Sequence, residues 1–123
     1  MICLSAGVMI ATLALQGFTL SWVHSVQKSE IQEDYRLEAG GLVSSEARIK
    51  GSGAGFDPPT GSRLSEGWWR WQPVSHHREL ILARSSAPGN WRICLDSVCH
   101  PLSHFLPDSG ETPLRIAACH TTP

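Results

Sequence analysis

His24 and Ser25, followed by Glu30, Glu33 and Asp34, bring the residue types of nucleophilic catalysis into one short stretch. A histidine there could act as base, with a carboxylate to orient it. The local pattern opposes that use. In "FTLSWVHSV", Phe18, Leu20, Trp22, His24 and Val26 fall on one face of a period-2 strand, and Thr19, Ser21, Val23 and Ser25 fall on the other. His24 and Ser25 therefore point apart, and no G-x-S-x-G elbow re-aims the serine. His24 reads first as a histidine closing an apolar strand face, braced by a carboxylate such as Glu33. Ligand binding or catalysis is its second reading.

Other residue clusters carry weaker chemistry. Cys99, His100 and His104, with the adjacent pair His76 and His77, hold metal-ligating types, but "CHPLSH" lacks the spacing of a closed zinc site, so no metal is expected. Cys94 and Cys99 in "CLDSVC" could face each other across a turn and close a small disulfide worth about 2 kcal/mol, or stay as thiols in a reducing compartment. Cys3 and Cys119 lie in apolar contexts, where free cysteine usually behaves as a small buried hydrophobe. The run "GSGAG" offers Gly51, Gly53 and Gly55 for a turn at positive φ, or for a nest of backbone N–H groups that binds an anion. It has neither the G-K-[ST] of a phosphate loop nor a helical pattern after it. Trp68, Trp69 and Trp71 crowd one short strand, so Trp68 and Trp69 must face opposite sides. One ring packs in the core and the other is available to a ligand or partner.

The elements that must position these groups are strands. "MICLSAG" and "VMIATLALQG" read as two short buried strands around a turn at Gly7, although an apolar run of this length is ambiguous with a targeting segment. No Lys or Arg precedes it, and the run is short for a membrane span, so neither an export signal nor a membrane span is expected. If the true start lies upstream, a periplasmic or membrane-associated location stays open. A third strand is expected at Asp34–Glu38, a turn at 39–41, and a half-buried strand in "GGLVSSEARIK". The segment 51–67, rich in glycine with Pro58 and Pro59, reads as one long loop and as a prime site for function. "GWWRWQP", "RELILARS", a hairpin turning at 95–98 and "PLRIAAC" complete seven to nine short strands. With no sustained helical period, residues 1–123 are expected to form a single β-domain, a small antiparallel sandwich or barrel. The 123 residues carry ten Lys plus Arg against eleven Asp plus Glu, a formal charge of -1, which offers no basic stripe for nucleic acid.

Taken in order, "FTLSWVHSVQKSEIQEDYRL", "RIKGSGAGFDPP", "GWWRW" and "WRICLDSVCHPL" resemble the DUF1850 family of small bacterial proteins of unknown function. The family is commonly encoded beside TAXI-type TRAP transporter permeases, which take up organic acids with a solute-binding protein. The resemblance implies an accessory role near such a transporter, and it carries His24, Ser25, Glu33, Tyr35, Gly51, Gly53, Gly55 and Trp69 over as candidate ligand or partner positions. The resulting expectation is a non-enzymatic binding module, without cofactor, that contacts a TRAP-type permease or its solute-binding protein. The alternatives are a hydrolase-like enzyme using His24 with a nearby carboxylate, and a purely structural subunit.

Overall fold

A computed structural model describes residues 1–23, 29–50, 59–73, 75–84 and 91–119, and the statements below concern these. The chain is all-β. Twelve strands run in the order β1 (Ile2–Ala6), β2 (Met9–Leu13), β3 (Gly17–Val23), β4 (Glu30–Glu38), β5 (Gly41–Lys50), β6 (Arg63–Ser65), β7 (Trp68–Trp71), β8 (Ser75–His77), β9 (Glu79–Leu82), β10 (Arg92–Leu95), β11 (Val98–Pro101) and β12 (Leu114–Ala118). One short helix, α1 (Leu102–Phe105), interrupts them. Both sheets are antiparallel. The smaller has the order β2-β1-β12-β9, the larger the order β11-β10-β3-β4-β5-β7-β6, with β8 pairing β5 beside β7. They form a sandwich, and neither sheet closes into a barrel.

Alternation decides which side chains meet between the layers. Ile2, Leu4 and Ala6 of β1, Leu82 of β9, and Leu114 and Ile116 of β12 are buried. They share a core with Phe18, Leu20, Tyr35, Leu42 and Ile93 of the larger sheet, closed at one end by Leu102 and Leu106. No residue of β6 or β7 belongs to this cluster, although Ile49 and Ala47 of β5, opposite Trp69 and Trp71 of β7, are buried.

Three hairpins share one turn chemistry. Ala39 and Gly40, Glu66 and Gly67, and Asp96 and Ser97 occupy the two central positions of two-residue turns, all at positive φ. Positive φ at both positions is what the type I′ turn needs to match strand twist.

The twelve strands exceed the seven to nine expected from the sequence. Arg63–Ser65 lies inside the segment read as one loop, because three residues bounded by glycine and proline give no alternation to detect. Ser75–His77 was hidden for a similar reason, and β4 starts at Glu30, four residues before the expected Asp34. The other correction concerns Cys3 and Cys119. Read as free thiols, they are bonded to each other, with Cα atoms 5.0 Å apart, because β1 and β12 are neighbours that pair Cys3 with Ala117.

Candidate functional site

Strand β4 separates two chemistries by alternation alone. Gln32 and Asp34 face outward, while Ile31, Glu33 and Tyr35 face the core side, where Glu33 stands opposite Leu20 on one neighbour and Ala47 on the other. Glu33 is a carboxylate on an apolar face. Burial pushes its pKa upward, opposed by a hydrogen bond from Tyr35 and by the charge of His77. The Tyr35 hydroxyl donates to Glu33 Oε2 at 3.1 Å. Burial first, then the charge of Glu33 and this bond, hold Tyr35 in its phenol form well above the ordinary range, so it serves as a donor and not as a base.

Aromatic contacts fix the tyrosine. Its ring stacks on Phe18 at 5.5 Å between centroids and meets the His77 ring edge-on at 6.2 Å. Ser44, paired with Tyr35 across a bulge in β5, has a buried hydroxyl with no hydrogen-bond partner among the described residues. Glu33, Tyr35 and His77 thus form a polar cluster on an otherwise apolar sheet face. His77 and Ser44 were not anticipated as parts of it. Only the pairing of β8 with β5, which sets His77 opposite Leu42, brings the histidine there.

Of the positions expected for the site, Glu33 and Tyr35 meet directly. Trp69 sits on the same face but one row away, opposite Ile49 on β5 and Leu64 on β6. Its neighbour Trp68 takes the outer face, where the Lys50 ammonium and the Arg48 guanidinium lie 5.7 Å and 5.9 Å from its ring. His24, Ser25, Gly51, Gly53 and Gly55 lie outside the described residues. Cys94 and Cys99 are paired across the β10–β11 hairpin and bonded. The Cys99 sulfur is therefore not free to join a metal with His100 and His104, whose rings stack on each other at 4.1 Å. Among the described residues, no three His, Cys, Asp or Glu side chains converge as metal ligands.

The outer face of the larger sheet carries a continuous polar ladder. Arg48 is its centre. Its guanidinium donates to both oxygens of Asp34 at 2.9 and 3.1 Å, to Glu46 at 3.1 Å and to Gln32 at 2.8 Å. Gln32 and Ser21 donate to Glu30, which also faces Arg92. Burial raises the pKa of Glu30, but these two hydrogen bonds with the charges of Arg92 and Lys50 outweigh it and hold the carboxyl below its ordinary value. The polar alternation of "EIQED" is the sequence signal of this ladder, although its basic partners lie on β5 and β10.

The family model of a domain of unknown function, DUF1850, matches residues 18–102. The chain belongs to the DUF1850 family. No curated protein and no solved structure matches it. The DUF1850 match holds nearly all of the larger sheet together with β9, and it therefore includes Glu33, Tyr35, His77, Trp69 and the outer ladder. Strands β1, β2 and β12, which make up the rest of the smaller sheet, lie outside it.

Proposed function

We propose that this DUF1850 chain is a non-enzymatic binding or accessory module that contacts a TRAP-type organic-acid permease or its solute-binding protein. The observation that carries the reading is an exposed apolar pair at the edge of the larger sheet. The cross-strand pair Trp69 and Leu64 lies outside the main core cluster, next to the buried Ile49, with Leu64 59% exposed and Trp69 partly so. A partly exposed tryptophan paired with an exposed leucine, rimmed by polar strands, has the composition of an interaction hot spot. Glu33, one row inward from Trp69, braces that surface or holds a polar group of the partner, with the buried Tyr35 donating to it from behind. Two disulfides favour an oxidising compartment such as the periplasm, where a solute-binding protein would work. Among the described residues no helix is long and apolar enough to cross a membrane.

Crosslinking in the native host with a C-terminally tagged chain tests this. A permease or solute-binding protein is expected in the captured material, and Trp69→Ala is expected to lower its recovery at least about tenfold, the cost of losing an aromatic anchor. Recovery of the chain alone, or undiminished capture by the folded Trp69→Ala variant, would reject the reading. The hydrolase-like alternative needs His24 as base beside a carboxylate such as Glu33, and His24 lies outside the described residues.

A further inference from the structure

The outer face of β5, β7 and β6 holds an arginine row that the family reading does not use. Strand register sets Arg63 opposite Arg70, and Arg70 opposite Arg48, so three adjacent strands present like charges to one another. Such pairs are destabilising unless something compensates them. Compensation here is uneven. Arg48 is held by Asp34 and Glu46, and Arg70 donates through Nη1 to the other Glu46 oxygen at 3.1 Å. Arg63 has no acidic partner among the described residues. Each of the four oxygens of Asp34 and Glu46 accepts a bond from Thr19, Arg48 or Arg70, and none accepts one from Arg63 among the described residues.

This surplus positive charge opens onto a trough of about 770 Å³, bordered by Arg63, Arg70, Thr60, Ser45 and Gln72, with Asp34 and Glu46 also on its wall. That volume lies within the range of small-molecule sites. We propose that the trough binds a small oxyanion, a carboxylate- or phosphate-bearing ligand, through the guanidinium fork of Arg63. A guanidinium presents paired donors that match two oxygens of such a group, and bonds between two charged partners are the strong ones. Arg70 supplies the second contact, since among the described residues only its Nη1 is engaged by a side chain. Thr60 and Gln72 border the same space and are of types that can add neutral donors. The site stands apart from the transporter reading and does not depend on what the Trp69–Leu64 surface contacts.

Calorimetric titration of the full chain with inorganic phosphate and with succinate, at low ionic strength against matched sodium chloride, tests it. Saturable binding of either probe is expected, and the tighter of the two names the source chemistry. Arg63→Gln should weaken it about tenfold or more, as loss of a charged hydrogen-bond pair does. The exposed Arg78, which does not border the trough, provides the control, and Arg78→Gln should bind as the parent does. Both substitutions are at exposed positions, and circular dichroism confirms that each variant is folded. Heat no greater than that from sodium chloride up to millimolar probe, or equal binding by Arg63→Gln, would overturn the proposal.

Discussion

Glu33 and Glu30 sit three positions apart on one strand and answer pH in opposite senses. Burial keeps the proton on Glu33 to a higher pH in the folded chain than in the unfolded one. Its contribution to stability is therefore complete below the ordinary glutamate range near pH 4.3 and is lost as pH rises through the folded value. Glu30 is the reverse. Its depressed pKa gives stability that is complete above that range and is lost as pH falls through the folded value. Chemical denaturation across pH should then show Glu33→Gln removing a decline on the alkaline side of about pH 4.3, and Glu30→Gln removing a loss on the acid side. Parallel pH profiles for the two variants would contradict the assignment. At this scale the sequence showed the carboxylates but not their environments. The strand was expected only from Asp34, so Gln32 was not set beside it, and their partners Arg48 and Thr19 arrive from other strands.

Elements with strong local signals were readable from the sequence, and those defined by pairing were not. The β4–β5 hairpin announces itself through two glycines, and β5 through the alternation of Ala47 and Ile49 with Glu46, Arg48 and Lys50, which a bulge near Ser45 interrupts. Strands β6 and β8 have three residues each and exist because β7 and β5 offer them an edge, which no local period can reveal. The β10–β11 turn was anticipated at its true position despite lacking glycine. Its Asp96 and Ser97 sit at φ of 50° and 69°, a region that costs an ordinary residue roughly 1 kcal/mol. Ser97→Gly should accordingly stabilise the chain by about 1 kcal/mol, measured by urea denaturation. No change, or destabilisation, would mean that the serine side chain compensates its own backbone. The candidate site divides along the same line. Glu33 and Tyr35 are near in sequence and meet as neighbours on one strand face, whereas His77 reaches them only through β8.

Across the whole molecule, the two disulfides differ most in what they enclose. Cys94 and Cys99 are separated by five positions, and Cys3 and Cys119 by 116. Loop-closure entropy assigns about 2 kcal/mol to the first and about 5 kcal/mol to the second. Replacing Cys3 and Cys119 by serine should therefore lower stability more than replacing Cys94 and Cys99, as read from denaturant midpoints in oxidising buffer. An equal or inverted order would show that native strain or residual unfolded structure dominates. The long link also pins β1 to the segment after β12, and so secures the smaller sheet, three of whose four strands lie outside the family match.

That link gives the molecule a second property. Residues 3 to 119 form a closed covalent ring, so a protease cut at any single exposed turn opens the ring without dividing it. The nicked protein stays one molecule until a reductant separates the pieces. Tension applied to the two chain ends would likewise run through the sulfur–sulfur bond and leave the strands between them unloaded.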